Sequence, residues 1–128
     1  MTERGRNPET DIQNEILIVI NTYATQAGLR AYRINNGAVY DNARGIYRKP
    51  GQFAAAGISD ILILARGGKV IFLEVKTPTG QLTESQETFK AMCAIADVPY
   101  EVARCREDAL AILRKYGIIG GELDGIGK

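Results

Sequence analysis

Apolar residues recur at helical spacing near the amino end, with Ile12, Ile16, Val19, Ile20 and Tyr23 on one side of a 3.6-residue repeat. Asn7-Pro8, just ahead of them, has the form of an N-cap followed by a first-turn proline, so a helix from about Pro8 to Gln26 is expected. Leu29 to Ile34 then alternates, Leu29, Ala31 and Arg33 against Arg30, Tyr32 and Ile34, as a strand does, and runs into the turn residues Asn35-Asn36-Gly37. Arg33 and Asn35 would project together. From Gly37 to Gly57 periodicity is lost, and a long loop there reads as a flap or a dimer arm. Two short runs rich in branched residues follow, Ile58 to Ala65 and Val70 to Lys76, divided by Gly67-Gly68 in the manner of a hairpin. Thr77 to Gly80 is a turn. Thr83-Glu84-Ser85-Gln86 has the form of a capping box and opens a helix with Phe89, Met92, Cys93 and Ala96 on one face. Tyr100 to Arg104 reads as a strand and Glu107 to Tyr116 as a helix stopped by Gly117.

This order fits an α/β layer, a mixed β-sheet flanked by α-helices. At 128 residues the chain suits one domain spanning 1–128, with 1–7 and the glycine-rich 118–128 expected to fray or to pack on a neighbour. No run is apolar enough to cross a membrane, and Met1 to Arg6 lacks the apolar stretch of a secretory signal, so a cytoplasmic setting is expected. Cys93 and Cys105 lack metal-ligand spacing and read as reduced thiols. The absence of histidine excludes a serine triad, a His-Asn-His nuclease and most zinc sites.

The chemistry concentrates in Asp60 and the triplet Glu74-Val75-Lys76, at the ends of the two branched runs. Alternation puts Glu74 and Lys76 on one face. Whether Asp60 joins them depends on the turn: a two-residue Gly67-Gly68 turn pairs Asp60 with Val75 and splits the acids, whereas a three-residue Arg66-Gly67-Gly68 connection, with a left-handed glycine and a bulge, pairs Asp60 with Glu74. The longer turn is expected. Two converging carboxylates suit a hard cation, Mg²⁺ or Mn²⁺, with the Val75 carbonyl able to complete the set. Such a cation would serve phosphodiester hydrolysis, and Lys76 would orient the attacking water or stabilise the phosphate. The plain alternative is a surface salt bridge between Glu74 and Lys76.

In order and spacing, Gly57-Ile58-Ser59-Asp60, a glycine turn, Phe72-Leu73-Glu74-Val75-Lys76, then Gly80, Leu82 and Gln86 resemble the PD-(D/E)XK nuclease superfamily and, within it, the VRR-NUC (virus-type replication-repair nuclease) family. The similarity runs from the helix bearing Glu15 through Arg104. It implies a restriction-endonuclease-like fold, with Asp60 and Glu74 as metal ligands and Lys76 as the catalytic lysine. By the same resemblance Glu15 is the acid of the first helix and Gln86 the glutamine of the helix after the motif. Read from the residues alone, Glu15 is equally an ordinary helix-surface acid, and Gln86 equally a cap. The proline that gives the superfamily its name is Ser59 here.

Net charge is only +1, so distribution matters more than the sum. Between Gly28 and Gly57, Arg30, Arg33, Arg44, Arg48 and Lys49 face a single acid, Asp41, with Tyr32, Tyr40, Tyr47 and Phe53 interleaved. That composition suits a DNA-facing strand and loop, or else a solvated loop. Arg33, Asn35, Arg44, Arg48 and Lys49 are the first candidates for DNA contact, and Arg104 is a second-tier one. The reading is a metal-dependent endonuclease acting on branched DNA, Holliday junctions included, as a homodimer. A nicking or flap nuclease of phage replication and an idle DNA-binding module are the alternatives. The dimer would use the Gly37–Gly57 arm and the Ile118-Ile119 tail.

Overall fold

A computed structural model describes residues 7–34, 39–41, 43–48 and 57–120. Of the side chains within those ranges, 25, 26, 39–41 and 46–48 are outside the description. Asn7 caps the first helix, α1 (Pro8–Thr22): its side chain accepts from the Glu9 amide at 2.9 Å, with Pro8 in the first turn. The helix stops earlier than the apolar repeat suggests. Thr22 turns its hydroxyl back onto the Ile18 carbonyl, Tyr23 leaves helical geometry, and a single turn, α2 (Ala24–Ala27), carries the chain to Gly28.

The sheet has the order β1 (Leu29–Arg33), β4 (Ile61–Ala65), β5 (Lys69–Val75), β6 (Tyr100–Ala103). The first two junctions are antiparallel and β5–β6 is parallel, so the sheet is mixed. One face of β4 and β5 supplies Ile61, Ile63, Ile71, Leu73 and Val75, all buried. These pack with Ile16 and Ile20 of α1 and with Ala109, Ile112 and Leu113 of α4 (Arg106–Lys115) to form the core. Asn21 fastens α1 to the free edge of β1: its amide accepts from Ala31 N–H at 2.8 Å and donates to the Ala31 carbonyl at 3.1 Å. The opposite face carries Phe72 and Tyr100, and there α3 (Glu84–Ile95) lies, with Phe89 edge-on to Phe72 at 5.0 Å.

Two expectations need correcting. The stretch read as a structureless loop contains a separate antiparallel hairpin, β2 (Val39–Asp41) with β3 (Ile46–Arg48). Each strand is three residues long, too short for alternation to register as a signal. The start of the glycine-rich tail is also ordered into the fold: Ile118 N–H donates to the Leu113 carbonyl at 2.8 Å, and Ile119 is only 6% exposed within the core. That isoleucine is therefore spent on its own subunit's core, not on a partner. Replacing Ile119 by alanine should cost about 2–5 kcal/mol in denaturant unfolding, as for a buried aliphatic truncation; a loss under about 0.5 kcal/mol would mean the residue lies on the surface.

Candidate active site

The connection between β4 and β5 sets the site. Arg66–Gly68 makes one 3-10 turn, with Gly67 and Gly68 at φ +79° and +76°. Non-glycine residues rarely adopt those values. Three residues between Ala65 and Lys69 give the pairing Ala65–Lys69 through Ile61–Leu73, which extends to Asp60 opposite Glu74. The expected odd-length turn is present. The ladder runs one-to-one, however, with no bulge in either strand.

Asp60 follows β1 as well as β5. Its carbonyl accepts from Ile34 N–H at 2.8 Å, and its Oδ2 accepts from Val75 N–H at 2.8 Å. The carboxylate thus replaces a backbone acceptor at the last rung, and the Val75 carbonyl leaves the strand on that same edge. Gly57, at φ +81°, explains the glycine three residues before the acid: a Cβ there would lie 2.3 Å from the Ser85 carbonyl oxygen. The chain entering β4 presses on the first turn of α3, and this contact brings Gln86 to the strand end. Ser59, where the superfamily's proline would stand, is fully buried and donates to the Ile61 carbonyl at 3.0 Å.

Gln86 caps α3 and also reaches Glu74. Its Oε1 accepts from Thr83 N–H at 2.8 Å, completing the capping box, while its Nε2 donates to Glu74 Oε2 at 2.9 Å. Lys76 Nζ stands 3.9 Å from that same Oε2, and both partners are buried, so this is no surface salt bridge. Glu74 Oε1 is buried, with no hydrogen-bond partner among the described residues. Burial is the main reason the Glu74 carboxyl is pushed up to about 8; the charge of Asp60 pushes the same way, Lys76 opposes, and Glu9 adds a smaller push. The Tyr100 hydroxyl, also buried and without a partner among the described residues, has its pKa raised by burial and then by the charges of Glu74 and Asp60.

The other candidates are spread more widely. Glu15 is exposed on α1, and among the described residues no group of three acids, cysteines or histidines gathers into a cluster able to hold a metal. Glu9, in the first turn of α1, adds its charge to the push on Glu74. It lies two helical turns before the buried Ile16 on one stripe, a signal legible in the spacing but missed. Arg33 is exposed on β1, where its Nε donates to Gln13 Oε1 at 3.0 Å and its Nη2 to Asn14 Oδ1. Arg44 is exposed in the β2–β3 turn, whereas the Arg48 side chain, Asn35 and Lys49 lie outside the described residues. Arg104 holds backbone: its Nη1 donates to the Thr77 carbonyl at 2.6 Å and to that of Gly80 at 2.8 Å.

A mixed sheet presenting two opposed acids, a buried lysine and a glutamine at one strand end defines a nuclease domain of the PD-(D/E)XK type. The VRR-NUC domain model matches residues 15–107, well over half of the chain, and the protein belongs to that family. A solved structure described as a VRR_NUC domain is similar over 86% of this chain and 98% of its own, with a TM-score of 0.60 at 13% identity, a likeness of fold. None of the curated proteins matches the chain. Nucleases of this kind generally use divalent metals, and the donor set fits one: an orphaned, buried carboxylate oxygen beside a second carboxylate wants either a proton or a cation. No described helix is long and apolar enough to cross a membrane.

The raised Glu74 carboxyl has a definite sign in stability. The folded state holds a proton that the unfolded chain releases near 4.5, so metal-free stability is greatest below that value and declines as pH rises towards about 8. Melting temperatures across that window should fall less steeply for Glu74→Gln than for the wild type. Added Mg²⁺, which displaces the proton, should stabilise the wild type more at pH 8 than at pH 5.5. Parallel curves for the two proteins would contradict the assignment.

Proposed function

We propose that this protein is a Mg²⁺- or Mn²⁺-dependent DNA endonuclease that cuts branched DNA, four-way junctions included. The observation that carries the metal-dependent cleavage is the buried, unpartnered Glu74 Oε1 beside Asp60. The branched substrate rests on the family resemblance alone. Asp60 and Glu74 would hold the cation, with the Val75 carbonyl at the same edge, and the charge of Glu9 on α1 adds to theirs. When bound, the cation neutralises charge on the scissile phosphate and acidifies water.

The chain's own residues do the rest. Gln86 fixes Glu74 through Oε2 and so leaves Oε1 as the free ligand atom. Val75 N–H holds Asp60 against the strand end in the same way. Lys76 keeps its ammonium beside Glu74, where it orients the attacking water or stabilises charge on the phosphate. Arg33, Arg44, Arg48, Lys49 and Asn35 supply phosphate contacts along β1 and the hairpin that follows. Cutting both strands of a junction symmetrically calls for two sites and hence a homodimer. A monomeric nicking or flap nuclease is the second reading, and the burial of Ile119 favours it by removing part of the apolar surface available for pairing.

Cleavage of four-way, flap and linear duplex DNA, with light scattering on the same sample, separates these readings. Paired cuts across a junction by a dimer support the first, and single nicks by a monomer support the second. Asp60→Ala and Glu74→Ala should each abolish cleavage while leaving the protein folded and able to bind DNA. Lys76→Ala should lower kcat by roughly 100- to 1,000-fold with little change in affinity. Wild-type rates from any of the three would remove the site assignment. Changing Arg44, Arg48 and Lys49 together should weaken binding and flatten its salt dependence, by about one unit of slope for each phosphate no longer neutralised.

A further inference from the structure

The residue at the end of β6 has an unusual set of partners. One nitrogen of Arg104, Nη1, lies 2.6 Å from the Thr77 carbonyl, 2.8 Å from the Gly80 carbonyl and 3.4 Å from that of Pro78. Those carbonyls belong to the turn that follows β5, which closes on itself through Gly80 N–H to the Thr77 carbonyl at 3.1 Å. A turn whose carbonyl oxygens converge needs donors at its centre, and a planar, weakly hydrated guanidinium meets that need better than an ammonium. Arg104 is itself held at the other end. Its backbone N–H donates to Asp108 Oδ2 at 2.9 Å, in the first turn of α4.

The same turn lies over Lys76. An added Cβ on Gly80 would sit 3.1 Å from Thr77 Oγ1 and 3.4 Å from Lys76 Cδ, so the Gly80 backbone runs along the lysine's stem. The Lys76 amide donates to the Ala103 carbonyl at 3.1 Å, next to Arg104, so both residues flank the last rung between β5 and β6. Lys76 is left 7% exposed although its stem carries four methylenes.

We propose that Arg104 is a positioning residue for Lys76: by gathering the carbonyls of the 77–80 turn it closes that turn over the lysine and keeps the ammonium beside Glu74. This rests on the reading of Lys76 as the lysine of the reaction. It gives Arg104 a role that phosphate contact does not call for, with both hydrogens of Nη1 committed to backbone carbonyls.

The test uses the whole protein, free of DNA and metal, treated with an amine-acylating reagent and read by peptide mass spectrometry, with the exposed Lys90 as internal control. In the wild type Lys76 should react much more slowly than Lys90. Arg104→Ala should raise the Lys76 rate several-fold and leave Lys90 unchanged. On DNA with Mg²⁺ the same variant should lose roughly 10- to 100-fold in kcat, as a small misplacement does, with half-saturation and salt slope unchanged. Arg104→Lys, which keeps the charge and more of the packing, should recover only part of both effects and carries the test should the alanine protein fail to fold. Unchanged Lys76 acylation in a folded variant would overturn the proposal. So would a weaker affinity with the salt slope reduced by about 1 and restored by lysine, the signature of a phosphate contact. A wild-type protein that cuts no DNA would defeat the proposed function instead, while the acylation rates would still judge the role of Arg104.

Discussion

Burying Glu74 beside Asp60 is the constraint around which the rest of this chain is arranged. Two carboxyls that close, one of them almost wholly removed from water, repel unless protons, donors or a cation intervene. The fold supplies some of what is missing. Gln86 and Lys76 attend one oxygen of Glu74, and the Val75 amide attends Asp60. What it withholds is a partner for Glu74 Oε1. A chain that needed only packing here would be better served by an apolar residue, so the arrangement is one that a cation relieves.

Much of the surrounding structure exists to hold that geometry. The three-residue turn at Arg66–Gly68 fixes the register; a connection one residue shorter would send Glu74 and Asp60 to opposite faces of the sheet. Gly57 allows the chain entering β4 to press on α3, and through that contact the α3 cap becomes a ligand of Glu74. Asn21 fastens α1 to β1 on the other face, so the core and the site are braced from both sides of one sheet. A single amide, Gln86, then serves helix capping and carboxylate orientation together.

Strong local signals make the frame legible. Asn7-Pro8, the branched runs of β4 and β5 and the capping box at Thr83 each act within a few residues, and each takes the expected form. The glycine pair sets the turn's length, because only one register lets the acids meet. Less legible are features that depend on distant partners. Glu15 stands out over Glu9 in the sequence since apolar neighbours draw attention to the middle of α1, whereas the α1 charge that adds to the push on Glu74 is that of Glu9 in the helix's first turn. Arg104 looks like a free cation in sequence and becomes a backbone clamp only when the 77–80 turn folds next to it. The β2–β3 hairpin escapes notice because its strands are too short to alternate, and Ile119 because the glycines around it suggest fraying.

The central claim is that Glu74 Oε1 and the Asp60 carboxyl share a divalent cation. Anomalous diffraction from crystals grown with Mn²⁺ at pH 8 tests it most directly. A peak is expected at roughly 2.1 Å from Glu74 Oε1 with Asp60 among its ligands. Ordered Mn²⁺ elsewhere, with Glu74 Oε1 still without a ligand, would contradict it.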